Sequence, residues 1–236
     1  MDRTGTDPAE PITGADLLQL IWLASPALPV GGFSYSEGLE AAVDSGRVHD
    51  EGSAAGWLCD QLHLVLARSD IGVVAEVVAA WRAGQVQRVL DLDAWVLRTR
   101  ETRELRAQAE QMGRSMLEWM KSLRAGPGAW ADASVSPVTT HPVAFAIAAS
   151  QGGASARQAA LAFSFSWAEN MTQAAIKAVP LGQGAGQRIL ARLAGEIPAA
   201  IEHALSLAPG DRQSFAPVLA ILSARHEDQY SRLFRS

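Results

Sequence analysis

This chain of 236 residues is short of several things that would narrow its chemistry. It has one cysteine, Cys59, so no intramolecular disulfide can form, and a reducing, cytoplasmic compartment is expected. Charged residues are only 19 % of the chain and the net charge is −5. That argues against a nucleic-acid partner, which selects a basic face, and against an anionic membrane surface. No apolar run is long enough to span a bilayer. Glu76 interrupts IGVVAEVVAAW, PVAFAIAAS is too short, and the apolar stretch around residue 170 carries Arg157, Glu169 and Lys177. The polar start, MDRTGTDPAEPITG, lacks a signal-peptide core, and residues 1–13 are expected to be a disordered tail.

Strand patterns are also missing, and this decides how to read GGFSYSEG (31–38). A nucleophile elbow has the form G-x-S-x-G on a strand-to-helix turn. Here Ser36 stands where the second glycine belongs, and Pro26 and Pro29 break any preceding central strand. A serine hydrolase using Ser34 or Ser36 is therefore the weaker reading. The run Gly182-Gln183-Gly184-Ala185-Gly186 is no phosphate loop either. It lacks G-x-x-x-x-G-K-[ST] spacing and a preceding strand, so it is expected to be a glycine-rich turn with positive φ. Cys59 and His63 share a helix face and could supply half a metal site, but a closed site wants four ligands. His49, His141, His203 and His226 are scattered, so no catalytic or metal residues are assigned and a nickel carrier is a poor fit.

What is present is 48 % hydrophobic residues with helical periodicity almost throughout. Helices are expected over Asp16–Leu23, Ser34–Val43, Asp50–Ala67, Asp70–Ala83 and Val86–Thr99, then through ETRELRAQAEQMGRSMLEWMKSLR. After a Gly/Pro-punctuated loop at 125–140, helices follow from His141-Pro142, over Ser155–Val179, over Gln187–Leu207 with a kink near Pro198, and from Pro217. Both flanks of the loop need apolar partners. The fold class is thus all-α, a single-domain bundle of about ten helices over residues 14–236.

Two features remain. Lys177 lies in an almost charge-free helix, either as a buried, paired ammonium or snorkelling at the helix end. The segment 224–236, ARHEDQYSRLFRS, puts Tyr230, Leu233 and Phe234 at helical spacing among arginines, a composition suited to docking on another protein or on the body of this one. A final helix that only caps the core is the blander alternative.

Five segments in order carry a resemblance: SPALPVGGFSYSEGLE (25–40), TRELRAQAEQMGRSML (102–117), HPVAFAIAA (141–149), QAAIKAVPLGQGAGQRIL (173–190) and ARHEDQYSRLFRS (224–236). Together they resemble the signatures of the urease accessory protein family UreF. The resemblance implies an all-helical, cytoplasmic, non-enzymatic chaperone, often dimeric. It implies bridging of the accessory protein UreD (also called UreH) to the GTPase UreG, and delivery of nickel to urease apoprotein. No cofactor would be tightly bound by this chain. Nickel would be handled by the complex, and GTP would be bound by UreG. Gly31 and Gly32 are expected to turn the chain into a helix capped by Ser34, with Glu37 reaching back. The resemblance further implies that Tyr35, Lys177 and Arg232 lie together, tying the chain end to the body. The partner-binding or structural set is completed by Arg225, His226, Tyr230, Phe234 and Arg235.

Overall fold

The computed structural model describes residues 12–123 and 140–236. The N-terminal tail up to residue 11 and nearly all of the 125–140 loop lie outside the described residues. Ten α-helices and three short 3-10 turns make up an all-α single domain, with no strand among the described residues. The helices are α1 (Gly14–Ala24), α2 (Leu39–Asp44), α3 (Glu51–Leu64), α4 (Asp70–Arg82), α5 (Val86–Thr99), α6 (Arg103–Ser122), α7 (His141–Ala149), α8 (Ala156–Ala178), α9 (Gln183–Ser206) and α10 (Pro217–Glu227).

Local chemistry starts several of them. Ser155 Oγ accepts from Gln158 N at 3.2 Å while Ser155 N donates to Gln158 Oε1 at 2.7 Å, a reciprocal cap for α8. Asp50 and Ser53 do the same for α3, and Thr102 Oγ1 accepts from Leu105 N to open α6. Pro142 sits in the first turn of α7, where its missing N–H costs nothing.

The centre of the molecule is α4, α7 and α8. Helix α7 is apolar all round and buried from Pro142 to Ala149. It packs against α4 and α6, and α8 is covered by α4, α9 and α1. Ala144, Ala146, Ala148 and Ala149 are fully buried, and small residues of this kind let helix backbones approach closely. Phe145 fills the space they leave, edge-on to Phe163 at 5.2 Å between ring centres. Helix α10 lies at the edge, on α2 and α6.

Three expectations are corrected. No helix starts at Ser34. A 3-10 turn occupies Gly32–Ser34, and α2 begins only at Leu39, after Gly38 at φ 76°. Gly31, at φ 79°, does supply the sharp turn. The second correction is at Gly182–Gly186, which is the opening of α9 rather than a turn, with φ −72° at Gly182. Gly186 is required there by packing, because a Cβ would clash with Ile176 of α8. Helix α9 then runs on through Pro198. Third, α10 stops at Glu227, so Tyr230, Leu233 and Phe234 are not on a helix.

Candidate functional site

The chain end folds back onto the body, and one carboxylate organises the junction. Glu40, in the first turn of α2, is only 7 % exposed. It accepts from the backbone N–H of Leu233 at 2.8 Å and of Phe234 at 3.0 Å. Its Oε2 also lies 3.1 Å from Nε2 of His226, a residue of α10 with no exposed surface. The other ring nitrogen of His226, Nδ1, lies 2.7 Å from Glu104 Oε2 on α6. Glu104 Oε1 in turn accepts from Arg232 Nη1 at 2.6 Å. The sequence Glu40–His226–Glu104–Arg232 therefore stitches α2, α10, α6 and the chain end into one polar unit. Removing one member of a buried set of this kind leaves an uncompensated polar group and costs about 3–5 kcal/mol.

Backbone pairing finishes the clasp. Arg235 N donates to Ser34 O at 2.8 Å, and Ser36 N donates to Ser236 O at 2.8 Å. Ser36 Oγ also donates to Ser236 O, and Ser236 Oγ to Gln108 Oε1 at 2.8 Å. Phe234 is 7 % exposed and enters the core cluster.

Tyr35, Lys177 and Arg232, grouped by the resemblance, each make a separate contact. Lys177 is exposed, which corrects the buried-ammonium reading, and its Nζ stands 6.0 Å over the ring of Phe234. Tyr35 is buried and donates from its hydroxyl to Gln111 Oε1 at 2.8 Å. Burial pushes its phenol up from the usual range, while the neighbouring Arg235 guanidinium opposes the shift. Arg232 is held by Glu104. Tyr230 is fully exposed, Leu233 is 71 % exposed, and Arg225 and Arg235 also face solvent.

Glu37 is an interior brace, and the expected Ser34–Glu37 capping box does not form. Its Oε1 accepts from Gln108 Nε2 at 2.6 Å and its Oε2 from Trp167 Nε1 at 2.9 Å. Burial raises its carboxyl above the ordinary range, with the two donors pulling the other way. Its backbone is left-handed, at φ 50°, a conformation that costs a non-glycine residue about 1–2 kcal/mol. Gly32 leaves the space that Asn170 occupies. Ser36, the other candidate nucleophile, is 1 % exposed and engaged with the chain end.

Elsewhere, His63 Nε2 lies 3.0 Å from Glu196 Oε2 of α9, and burial pushes the Cys59 thiol up. Among the described residues no group of three His, Cys, Asp or Glu is placed to hold a metal ion, and no helix is long and apolar enough to cross a membrane. The sequence reading missed Glu40, Glu104 and Gln108, and it considered Ser36 only as a nucleophile. Glu40 stands between Leu39 and Ala41-Ala42, and its burial becomes visible only when residues about 190 positions away arrive. The one usable signal was a carboxylate in a segment otherwise rich in small and apolar residues.

The family model of UreF matches residues 48–194. The urease accessory protein UreF of Polaromonas sp. (strain JS666 / ATCC BAA-500) is 60 % identical over 229 residues, covering 97 % of this chain and 98 % of that one. This chain belongs to the UreF family. The UreF of Paracidovorax citrulli (strain AAC00-1) is likewise 60 % identical over 238 residues, covering 98 % of this chain and 94 % of its own. That of Ralstonia pickettii (strain 12J) is 49 % identical over 226 residues, covering 94 % of this chain and 98 % of its own. The family model covers α3 through the first half of α9, and the α10 junction lies beyond the matched residues.

Proposed function

We propose that this UreF-family chain acts in urease maturation as a cytoplasmic, non-catalytic scaffold. It bridges UreD/UreH and the GTPase UreG, works as a homodimer, and tunes the GTP-driven transfer of nickel into urease apoprotein. Nickel is cargo of the complex and GTP belongs to UreG, so this chain needs neither a phosphate loop nor a resident metal.

The observation that supports this reading is the clasped chain end. Glu40, His226 and Glu104 hold residues 232–234 in place, yet Tyr230 and Leu233 remain exposed beside Arg225 and Arg235. An ordered, arginine- and tyrosine-bearing surface is what a protein partner uses for strong contacts. Each interface of a stable bridge is expected to bury upwards of ~1,000 Å².

The test is urease activity from the native operon with this gene deleted and then restored, at constant nickel supply and urease level. The expected result is loss of activity with abundant apoenzyme, and recovery on restoration. Unchanged activity after deletion would overturn the reading.

A further inference from the structure

A second site lies at the meeting of α4, α6, α7 and α8. A cavity of about 80 Å³ opens to solvent there, lined by Glu37, Asp70, Arg100, Glu101, His141 and Trp167 among others. It has room for several waters or for the end of one long side chain. Asp70, the first residue of α4, is 8 % exposed. Its Oδ2 accepts from Arg100 Nη2 at 2.7 Å. Its Oδ1 is fully buried and finds no hydrogen-bond partner among the described residues. A buried carboxylate oxygen without a donor is costly, so the site calls for a donor from outside.

The charge of the lining narrows that donor. Asp70 and Glu101 face one guanidinium, Arg100, while burial favours the neutral form of Glu37 and holds His141 down to about 4 and hence uncharged. The balance is acidic. A resident metal ion is disfavoured, because Arg100 already occupies the carboxylate and no three-ligand group is present among the described residues. The surroundings narrow it further. Phe33 (62 % exposed), Phe165 (39 %), Phe215 (65 %) and Val218 (47 %) are each the immediate chain neighbour of a residue that lines the cavity. Large exposed apolar groups on the segments that line a cavity are the raw material of an interaction surface. Two copies of this chain meeting face to face here would oppose acid to acid, which disfavours self-association through this mouth.

We propose that this mouth is a docking site for a partner protein that inserts one lysine or arginine side chain toward the Asp70 carboxylate. The partner's own apolar groups then cover the phenylalanine rim. The arrangement is a cationic anchor desolvated inside an apolar ring, the architecture of an interface hot spot. It rests on the reading that the chain works by holding partners, and it adds the chemistry by which one of them is recognised.

The test places the photocrosslinking residue p-benzoylphenylalanine at Phe33 and, separately, at Phe215, in cells expressing the full set of urease accessory proteins. Crosslinked peptides are then mapped by mass spectrometry. The expected product joins both positions to one accessory partner, in a segment containing a lysine or arginine. Changing that residue to methionine, or Asp70→Asn here, should weaken copurification by roughly tenfold or more and flatten its salt dependence. The exposed-site variants Phe33→Ser and Phe215→Ser should weaken it with the fold intact. Crosslinks only to a second copy of this chain, to a segment without a basic residue, or to nothing would overturn the proposal. So would wild-type binding by both rim variants. If the rim variants bind normally and restoration of the gene still rescues urease, the docking site is wrong and the scaffold reading survives. If deletion leaves urease activity unchanged, the scaffold reading itself is wrong.

Discussion

The α4–α7–α8 centre and the chain-end junction are both buried, but they are held by opposite means. The centre is stitched by alanine, valine, phenylalanine and methionine, with α7 burying every residue after its first. Its stabilisation is non-directional and shared over many contacts, about 1.5–3 kcal/mol per large side chain. The junction is held by a handful of hydrogen bonds converging on Glu40 and His226. Such a set is cooperative and fragile, because losing one member strands the others. The centre maintains the fold; the junction decides whether one surface exists.

The largest effects should separate the two. Phe145→Ala leaves a cavity at a fully buried site and should lower global unfolding free energy by about 3–5 kcal/mol in urea titration. Glu40→Ala should cost a similar ~3–5 kcal/mol locally, yet leave the centre intact. Hydrogen exchange should show the difference. Amides of Leu233, Phe234 and Ser36 should lose protection in Glu40→Ala while those of α7 keep theirs. Equal loss in both regions would mean the junction and the centre form one cooperative unit.

Acid should weaken the centre through His141, whose ring lies against Phe145 and Phe163. Burial lowers its native pKa from 6.5 to about 4. As pH falls, the unfolded chain binds this proton first. The stabilisation is therefore complete above pH 6.5 and is lost as pH falls through about 4. At 1.36 kcal/mol per pH unit, that gap is worth on the order of 3 kcal/mol. Glu37 works in the opposite sense, since its raised carboxyl favours the native state at low pH. The difference in pH profile between the wild type and His141→Asn isolates the histidine, and parallel profiles would show that it does not titrate differently on folding.

The smallest effect should come from Ser34→Ala. The side chain caps no helix, and its backbone carbonyl, which accepts from Arg235 N, is retained. A change within about 0.5 kcal/mol and retained urease activation are expected. Loss of activity in a folded Ser34→Ala protein would revive a catalytic serine.

Sequence periodicity was enough for the long elements. Helix α5 is found over Val86–Thr99 as read, and the caps at Asp50 and Ser155 are local signals that tertiary structure keeps. The misreadings cluster where distant residues decide. At 31–38, two left-handed glycines and the arriving chain end replace the start of a helix with a 3-10 turn. At 182–186, a stretch that looks like a turn opens α9 from Gln183, and of its glycines only Gly186 is packed against Ile176. The chain end has helical spacing but no helix, since Glu40 takes the N–H groups of Leu233 and Phe234. Of the body residues singled out, Lys177 stands over Phe234 and Tyr35 lies beside Arg235, while Arg232 is held by Glu104. Of Glu40 and Glu104, which hold the end in place, only Glu40 carries a local mark of its burial, its small and apolar neighbours.

The most direct test of the account is copurification of UreD/UreH and UreG with a chain lacking residues 229–236, beside the full-length protein. The truncation keeps His226 and all of α10, so circular dichroism should show undiminished helix. The account predicts a folded protein that fails to retain at least one of the two partners. A folded truncation that retains both at full-length levels would contradict it.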